Sequence, residues 1–291
     1  MNDEKIKLFI TLAENLNFHR SAQLDHVSTS KLSRVIQSLE EELGVTLFQR
    51  DKRHVELTPH GHRFLGFARE QLLQWSTFQD SLKEAGMRLS GTVSIYCSVT
   101  ASYSFLYNTL EKARHAYPDI RIKLHTGDTA DAVERVEKGF EDIAIAAKPD
   151  SLNSSLSFKQ FDSSPLMFFT GVENIDFARK LEQEGDRAWS AIPMIVSERG
   201  LARERFNRWV KTKGFSPNIF SQVSGHEAIV SMVSLGLGIG LIPRIVVENS
   251  PLKDRVRPFE IQPEIKAYDV GACVQQRRLK SPIVEALWSL I

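Results

Sequence analysis

Three amphipathic helical patterns, separated by short polar breaks, open this sequence and constrain how its first part can fold. In residues 3–16, apolar side chains recur every three or four positions, which is the spacing of one helix face. A shorter helical stretch covers Phe18–Asp25. After the polar break Val27-Ser28-Thr29, a third helix covers Ser30–Leu43 and ends at Gly44, a residue suited to a left-handed C-cap. Helices joined by so short a turn predict a helix-turn-helix.

The third predicted helix has one apolar and one polar face. Leu32, Ile36 and Leu39 share the apolar face, whereas small and hydrogen-bonding residues occupy the other. Such residues near a helix N-terminus can approach base edges and phosphates in the major groove of DNA, and Ser28 or Thr29 can cap the helix. The predicted DNA contacts in this region are Arg20, Ser28, Thr29, Ser30, Lys31, Ser33, Arg34 and Gln37.

A charged tip between two short strand-like segments follows. The segments are Val45–Phe48 and Val55–Thr58, and the predicted wing would lay Arg50, Lys52 and Arg53 along the phosphate backbone, which adds affinity without reading sequence. The formal net charge of the whole chain is only +1, so the prediction depends on where the cations lie. The alternative is a three-helix core whose arginines are merely solvated.

A long apolar stripe then predicts a connecting helix over residues 59–88. Thr58-Pro59 is typical of a helix start, because proline at the first helical position misses no amide donor. The stretch to Gly86 would be about 40 Å long, and a stripe of this coiled-coil kind usually pairs with another helix. The predicted dimer contacts are Phe64, Ala68, Leu72, Trp75, Phe78 and Leu82. The alternative is packing against the rest of the same chain.

Strand-like and helical runs alternate from Gly91 onward, which predicts parallel sheets with helices on their faces. The pattern restarts after a turn-like break at Asp162-Ser163-Ser164-Pro165. We therefore predict a winged helix-turn-helix over 1–58 and an α/β, two-lobed, periplasmic-binding-protein-like effector domain over 91–291. Lobe I would cover about 91–162 and 267–291, and lobe II about 163–266. A length of 291 residues accommodates this organisation.

The predicted ligand site is the cleft between these lobes, because ligands of open α/β sheets bind beyond the carboxyl ends of the strands. Hydroxyls and helix-terminal amides at one strand end could hold a carboxylate, and a lysine would complement its charge. The predicted contacts are Ser98, Thr100, Ala101, Thr126, Gly127, Lys148, Glu198 and His226. Each also has a local interpretation, as a helix cap, a surface charge or a hydrogen-bonding partner.

Other function classes are weakly supported. An enzyme with Cys97 as nucleophile and His226 as base would need an oriented third group that the sequence does not indicate. The glycines of GLGIG follow a helix and lead into a strand, so they predict no dinucleotide site, and we expect no metal or cofactor. A small-molecule-binding protein of the periplasmic type would fit the two-lobed half alone.

The start MNDEKIKLF lacks the pattern of a signal peptide, so we expect a cytoplasmic protein.

The string SAQLDHVSTSKLSRVIQSLEEELGVTLFQRDKRHVELTPHG resembles the N-terminal signature of LysR-type transcription regulators, and SVSGHEAIVSMVSLGLGIGLIP resembles their second-lobe signature. The resemblance implies that Ser33 and Arg34 contact DNA and that Arg50 to Arg53 form the wing. The sequence departs from many relatives at Thr29-Ser30-Lys31, where Gln-Pro or Pro-Ala is common. Base preference at these positions therefore does not follow from the family.

Four further strings, CSVTASYS, TGDTADA, GHEAIVSMVSLGLGIGLIP and VENSP, are similar to the IlvY-type branch, which regulates isoleucine and valine biosynthesis. This resemblance implies an activator of the acetohydroxyacid isomeroreductase gene whose co-inducers are acetolactate and acetohydroxybutyrate. Operator DNA, RNA polymerase and a homodimer or homotetramer partner are implied as well. The alternative within the family is a regulator of another operon with a different small carboxylate inducer.

Overall fold

The computed structural model describes residues 3–50, 55–82, 89–173, 175–259 and 264–291. The chain divides into two compact units, Met1–Met87 and Arg88–Ile291. Each unit has its own hydrophobic core. None of the helices that the structure describes is both long enough and apolar enough to cross a membrane.

Three short helices build the N-terminal unit, as the apolar spacing predicts. The Ser28 side chain caps the third helix by accepting a 3.1 Å hydrogen bond from the Lys31 amide. Gly44 ends that helix in the left-handed region with φ of 66°, a conformation that glycine adopts without a Cβ penalty. Both predicted caps are therefore confirmed. The helices are α1 (Asp3–Asn15), α2 (Phe18–Leu24) and α3 (Thr29–Leu43).

A two-stranded antiparallel wing follows α3. It pairs β1 (Phe48–Arg50) with β2 (Val55–Leu57), and Gln49 lies opposite Glu56. Glu40 of α3 fixes the start of β1, because its carboxylate accepts hydrogen bonds from the amides of Leu47 (2.8 Å) and Phe48 (3.1 Å). The tip of the predicted wing, residues 51–54, lies outside the described residues.

A helix of 24 residues, α4 (Pro59–Leu82), starts where the Thr58-Pro59 pair predicts. The Thr58 hydroxyl accepts a 2.9 Å hydrogen bond from the Gly61 amide and so caps this helix. The first part of α4 packs on α1, where the Phe64 ring meets the Phe9 ring edge-on at 4.7 Å between centroids. The N-terminal core is therefore made by all four helices together.

The first lobe of the second unit is a five-stranded sheet in the order β4-β3-β5-β12-β6. β3, β4 and β5 are parallel, whereas β12 is antiparallel to both β5 and β6. β6 leaves this sheet toward the second lobe and β12 returns from that lobe, so the two strands run in opposite directions. The sheet is therefore mixed, and the prediction of a parallel sheet was wrong in this respect. The strands are β3 (Gly91–Cys97), β4 (Ile120–Thr126), β5 (Ile143–Ala147), β6 (Leu156–Ser164) and β12 (Tyr268–Gln275).

Helices cover this sheet at positions close to those predicted. The helical segment after β3 is divided at Phe105 into two helices. The final helix, Pro282–Leu290, packs on the second of these and on β3. The helices are α5 (Val99–Ser104), α6 (Leu106–Ala116), α7 (Ala132–Glu137) and α12 (Pro282–Leu290).

The second lobe is also a mixed five-stranded sheet, in the order β11-β7-β10-β8-β9. β8 is parallel to β9 and β10, whereas β7 is antiparallel to both of its neighbours. Its strands are β7 (Leu166–Gly171), β8 (Pro193–Ser197), β9 (Asn218–Val223), β10 (Ile239–Pro243) and β11 (Val256–Phe259). Its helices are α8 (Ile175–Glu184), α9 (Gly200–Lys213), α10 (His226–Ser234) and α11 (Arg244–Glu248).

A single residue, Pro165, separates β6 of the first lobe from β7 of the second. Asp162, Ser163 and Ser164, which the sequence predicts as a turn-like break, are instead the end of β6. They pair with β12, and this pairing outweighs the turn preference of serine and aspartate. The crossing is anchored by the Arg244 amide, which donates a 2.8 Å hydrogen bond to the Pro165 carbonyl.

Candidate functional site

The exposed face of α3 is the first candidate site. Thr29, Ser30, Arg34 and Gln37 are exposed and Ser33 is half-buried. Leu32, Ile36 and Leu39, which lie on the opposite side, are fully buried in the N-terminal core. The predicted division of this helix into a core face and a solvent face is present in the structure.

The polar groups near this face differ in their partners. Lys31 forms a 2.6 Å ion pair with Glu4 of α1, and this hydrogen bond holds the pKa of the Glu4 carboxyl below its usual value. Gln37 donates a 3.1 Å hydrogen bond to Glu41. The exposed Arg34 guanidinium has no partner among the residues that the structure describes. Arg34 is therefore available to an external acceptor, whereas the Lys31 charge is already paired.

The wing is described only in part. The backbone of Arg50 pairs with Val55 in the ladder, but its side chain, like Lys52 and Arg53, lies outside the described residues. Arg20 is exposed on α2, and the Asn17 side chain accepts a hydrogen bond from its amide. The assignment of these four cations to phosphate contacts stays a prediction.

The apolar stripe of α4 changes character along the helix. Phe64 and Ala68 are buried in the core of their own unit and Leu72 packs partly against it, so Phe64 and Ala68 are corrected from dimer contacts to core residues. Trp75 and Phe78 are 48% and 53% exposed, and their ring centroids lie 6.0 Å apart. The Leu82 side chain lies outside the described residues. The stripe therefore packs internally at its start and presents two aromatic rings farther along.

The second candidate site is a cavity of about 270 Å³ between the two lobes. Asp128, Thr129 and Ala147 line it from the first lobe, and Arg199 and His226 line it from the second. A smaller cavity of about 50 Å³ shares Thr129, Ala147 and His226 with the larger one. It is mainly apolar, because Ile145, Val246 and Val270 are among its lining residues. The space between the lobes thus contains a chamber lined by both charged and apolar side chains and a small apolar recess.

A carboxylate of the second lobe occupies the predicted anion position at the end of β3. Glu227 of α10 accepts hydrogen bonds from the Thr100 hydroxyl (2.6 Å) and the Thr100 amide (3.2 Å) through one oxygen. Burial raises the pKa of Glu227, but the hydrogen bonds from Thr100 and from the Glu227 backbone amide, together with the neighbouring His226, outweigh it and the net shift is downward. The Ser98 hydroxyl caps α5 by accepting from the Ala101 amide (3.1 Å), and both residues line the smaller cavity.

A second contact between the lobes lies at the rim of the larger cavity. Arg199 forms a bidentate ion pair with Asp131, and one nitrogen lies 3.6 Å from Asp128. This pairing holds the pKa of Asp131 below its usual value. Next to it, Gly200 has φ of +81°, and a Cβ built there would lie only 2.7 Å from the Ala130 Cβ. The two backbones therefore approach as closely as glycine permits.

His226 lies at the start of α10 and lines both cavities. It is only 6% exposed, and its buried Nε2 atom has no hydrogen-bond partner among the described residues. Burial lowers the pKa of this imidazole below its ordinary value, which favours the neutral ring. An unsatisfied buried polar atom is costly, so Nε2 marks a position where an added polar group would be stabilised.

Four predicted ligand contacts line neither of these two cavities. Thr126 is exposed, and its neighbour Gly127 packs against Tyr96. Lys148 lies over the Phe158 ring with its ammonium 5.8 Å from the centroid, and Glu198 accepts a 2.8 Å hydrogen bond from Ser224. Their assignment as ligand contacts stays a prediction. Lys148 and Glu198 are each flanked by lining residues, because successive residues at a strand end point to opposite faces.

Several residues that the sequence reasoning missed are immediate neighbours of predicted ones. Arg199 follows Glu198, Glu227 follows His226, and the lining residues Ala147 and Pro149 flank Lys148. A shift of one residue at each strand end would have found three of these four. Glu227 carried a separate signal, because an acid in the first turn of a helix is favourably placed beside free amides.

Comparison with known proteins identifies the family. Residues 4–62 match the family described as "Bacterial regulatory helix-turn-helix protein, lysR family", and residues 86–291 match the "LysR substrate binding domain". This chain belongs to the LysR family. The HTH-type transcriptional activator IlvY of Haemophilus influenzae is 39% identical to it over 287 residues, covering 98% of each chain. The HTH-type transcriptional regulator IlvY of Escherichia coli is 40% identical over 294 residues, covering 100% of this chain and 99% of that protein.

Solved structures of LysR-family regulators have the same fold. A full-length OxyR variant from Pseudomonas aeruginosa superposes with a TM-score of 0.65 at 20% identity, covering 100% of this chain and 94% of that chain. Full-length CbnR complexed with its target DNA gives 0.61 at 21% identity, covering 99% and 98%. At these identities the comparison establishes the fold: an N-terminal helix-turn-helix and a two-lobed substrate-binding domain.

As a LysR-family member close to IlvY activators, the chain is a DNA-binding transcription regulator, and its relatives are not enzymes. The Cys97 thiol, considered above as a nucleophile, is fully buried in β3, and burial raises its pKa to about 12. A thiol in this environment is not ionised at neutral pH, which agrees with the absence of a catalytic role.

Proposed function

We propose that this regulator activates the acetohydroxyacid isomeroreductase gene when acetolactate or acetohydroxybutyrate binds between the lobes. The observation that carries the proposal is the cavity of about 270 Å³. It shares lining residues with the smaller cavity, where Thr100 already holds a carboxylate. The similarity to IlvY activators over the full chain supports the choice of gene and inducer. RNA polymerase is the further partner that activation requires.

The operator contacts would come from the exposed face of α3 and from the wing cations. On α3 the contact would be made by Arg34, whose guanidinium has no partner among the described residues. Trp75 and Phe78, exposed on α4, support pairing of two copies, and α4 would then be the linker helix of a homodimer or of a dimer within a homotetramer. A dimer matches the half-site arrangement of helix-turn-helix operators.

The proposed ligands carry a carboxylate, a ketone, a tertiary hydroxyl and a short alkyl group. Thr100 would bind the carboxylate, and His226 Nε2 would meet one of the other oxygens. The recess of about 50 Å³ would take the methyl or ethyl group. The larger cavity lies just below the usual range of about 300–1,000 Å³ for drug-sized ligands, which suits a small acid. The two lobes would respond to the ligand as in periplasmic binding proteins.

The operator half of the proposal is tested with the full chain and a labelled isomeroreductase promoter. Arg34→Ala should cost about 1–3 kcal/mol per half-site and relax selectivity. Arg121→Ala, which removes an exposed arginine of β4 in the other unit, is the matched control and should bind as the wild type does. Selective, tight binding by the Arg34 variant would contradict the assigned interface.

The ligand half is tested by calorimetric titration with acetolactate. Thr100→Val keeps the side-chain shape but removes the hydroxyl, and an unpaired ligand oxygen should cost about 1–3 kcal/mol, or roughly one to two decades of affinity. Equal affinities would remove Thr100 from the site, and no binding by the wild type would reject acetolactate as inducer.

A further inference from the structure

We propose that the Glu227 carboxylate is a built-in competitor of the ligand: it occupies the Thr100 position until a ligand carboxylate displaces it, and so selects for carboxylates. The inference rests on the proposed function, because it assumes that a small acid binds between the lobes. It adds a residue that determines specificity and connects ligand binding to the contact between the lobes.

The geometry of the Glu227 contact is that of a bound anion. A single carboxylate oxygen receives both the hydroxyl and the amide of Thr100, at 2.6 and 3.2 Å. Thr100 is only 2% exposed, so an incoming carboxylate cannot reach these donors while Glu227 remains. Two ionised carboxylates at one such position would also repel each other strongly in a partly buried environment. Ligand and Glu227 must therefore exclude each other.

An independent observation indicates that this region is built for a ligand. His226, the residue next to Glu227, is buried and lines both cavities, and its Nε2 has no hydrogen-bond partner among the described residues. In the present arrangement the Thr100 donors are satisfied while this imidazole nitrogen is not. A small acid that bears a further oxygen would satisfy both groups at once, which Glu227 alone does not do.

Displacement also explains how binding would change the lobes. The Thr100–Glu227 pair joins α5 of the first lobe to α10 of the second, so releasing it removes one of the two polar contacts between lobes described above. A ligand shifts a conformational equilibrium only through unequal affinity for the two states. A carboxylate that replaces an inter-lobe bond has this property, whereas a neutral analogue that leaves Glu227 in place does not.

The test compares the full-length wild type with Glu227→Gln, which keeps the side-chain shape and removes the charge. The probes are acetolactate and its methyl ester, measured by calorimetry. Hydrogen bonds to a charged acceptor are about twice as strong as neutral ones, so the amide should be displaced more easily. We expect the variant to bind acetolactate about tenfold more tightly, and the uncharged ester no more tightly than the wild type does. Glu111→Gln, an exposed acid of α6, is the matched charge control and should change neither affinity.

Two results would overturn the inference: an affinity for acetolactate that is unchanged or weaker in Glu227→Gln, or an equal gain for the ester. If neither protein binds acetolactate, the proposed inducer fails. Hydrogen exchange at the Thr100 amide then decides the inference separately. If the Thr100 amide exchanges faster in ligand-free Glu227→Gln than in the wild type, the Glu227 carboxylate does occupy this position. Unchanged exchange overturns the inference.

Discussion

Replacing Gly200 by alanine tests whether the lobes are held together as closely as the structure indicates. The new Cβ would lie 2.7 Å from the Ala130 Cβ of the opposite lobe, well inside the 3.4 Å at which ordinary van der Waals contact begins. Gly200 also has φ of +81°, which alanine adopts only with strain. The substitution therefore combines a local backbone penalty with a clash across the cleft.

The contribution of each penalty to the unfolding free energy can be estimated. Left-handed backbone strain costs about 1–2 kcal/mol, offset by about 0.4–1 kcal/mol because alanine lowers the entropy of the unfolded chain. Overpacking adds about 1–3 kcal/mol. If the lobes separate to relieve the clash, the loss of the charged hydrogen bonds at Thr100 costs a similar amount. We expect Gly200→Ala to lose about 2–4 kcal/mol of unfolding free energy in total.

Gly214 supplies the matched control at the other end of the same helix. Its φ is +73°, yet a Cβ there would meet nothing within 4 Å, so Gly214→Ala carries the strain without the clash. Urea unfolding followed by tryptophan fluorescence should give a loss near 1 kcal/mol for this variant. Adding Ala130→Gly to Gly200→Ala should recover most of the difference, with a coupling energy of about 1–2 kcal/mol.

Equal losses for Gly200→Ala and Gly214→Ala would refute the close approach of the lobes. The close approach would also be refuted if the losses of unfolding free energy from Gly200→Ala and Ala130→Gly were additive in the double variant. A third measurement, acetolactate affinity, separates a tight cleft from a general loss of folding, because only the Gly200 change alters the rim of the cavity.

Three further predictions concern other parts of the molecule. Trp75→Arg should place an unpaired charge in the proposed seam of α4 and dissociate the oligomer in analytical ultracentrifugation; an unchanged mass would exclude Trp75 from the interface. Burial lowers the pKa of His226 below its ordinary 6.5. The unfolded chain therefore binds a proton at this residue more readily than the folded chain does, so the free energy of unfolding should fall as the pH drops below 6.5. His226→Gln should flatten that dependence in urea unfolding at about pH 7.5 and about pH 5.5. Glu40→Ala should leave the amides of Leu47 and Phe48 unsatisfied and cost about 1–3 kcal/mol, a loss that Glu41→Ala should not reproduce in the same assay.

The N-terminal unit was well predicted because its signals are local. Ser28 and Gly44 delimit α3 through their own hydrogen bonds and dihedral angles, and the apolar spacing identifies the core face. The α4 stripe shows the limit of that reasoning. Periodicity identifies an apolar face but not its partner, and Phe64 and Ala68 turned out to pack on their own unit.

The cavity between the lobes lies at the edge of the sheets where the sequence predicts one, but some of its lining residues are one position away from the predicted ligand contacts. The rule that ligands bind beyond the ends of strands locates the cleft. It does not say which face of the sheet each side chain is on, because that depends on the residue at which the strand ends. Lys148 and Glu198 were therefore assigned to a cavity that their neighbours line. The Thr100–Glu227 contact joins residues 127 positions apart and depends on packing of two lobes, which no local pattern reports.

The one-residue crossing at Pro165 has a mechanical consequence. The link is one residue long and its carbonyl accepts a hydrogen bond from the Arg244 amide. A link this short transmits a rotation from one lobe to the other, because it has little flexibility of its own. In the second sheet, β9 lies three strand spacings from β7, which is a lever arm of about 15 Å. A pivot at Pro165 would therefore sweep β9 through about 0.25 Å per degree. The largest displacement would be at β9, an outer strand whose Phe220 side chain is 54% exposed, so a small rotation at Pro165 would produce a larger movement at the surface of the lobe.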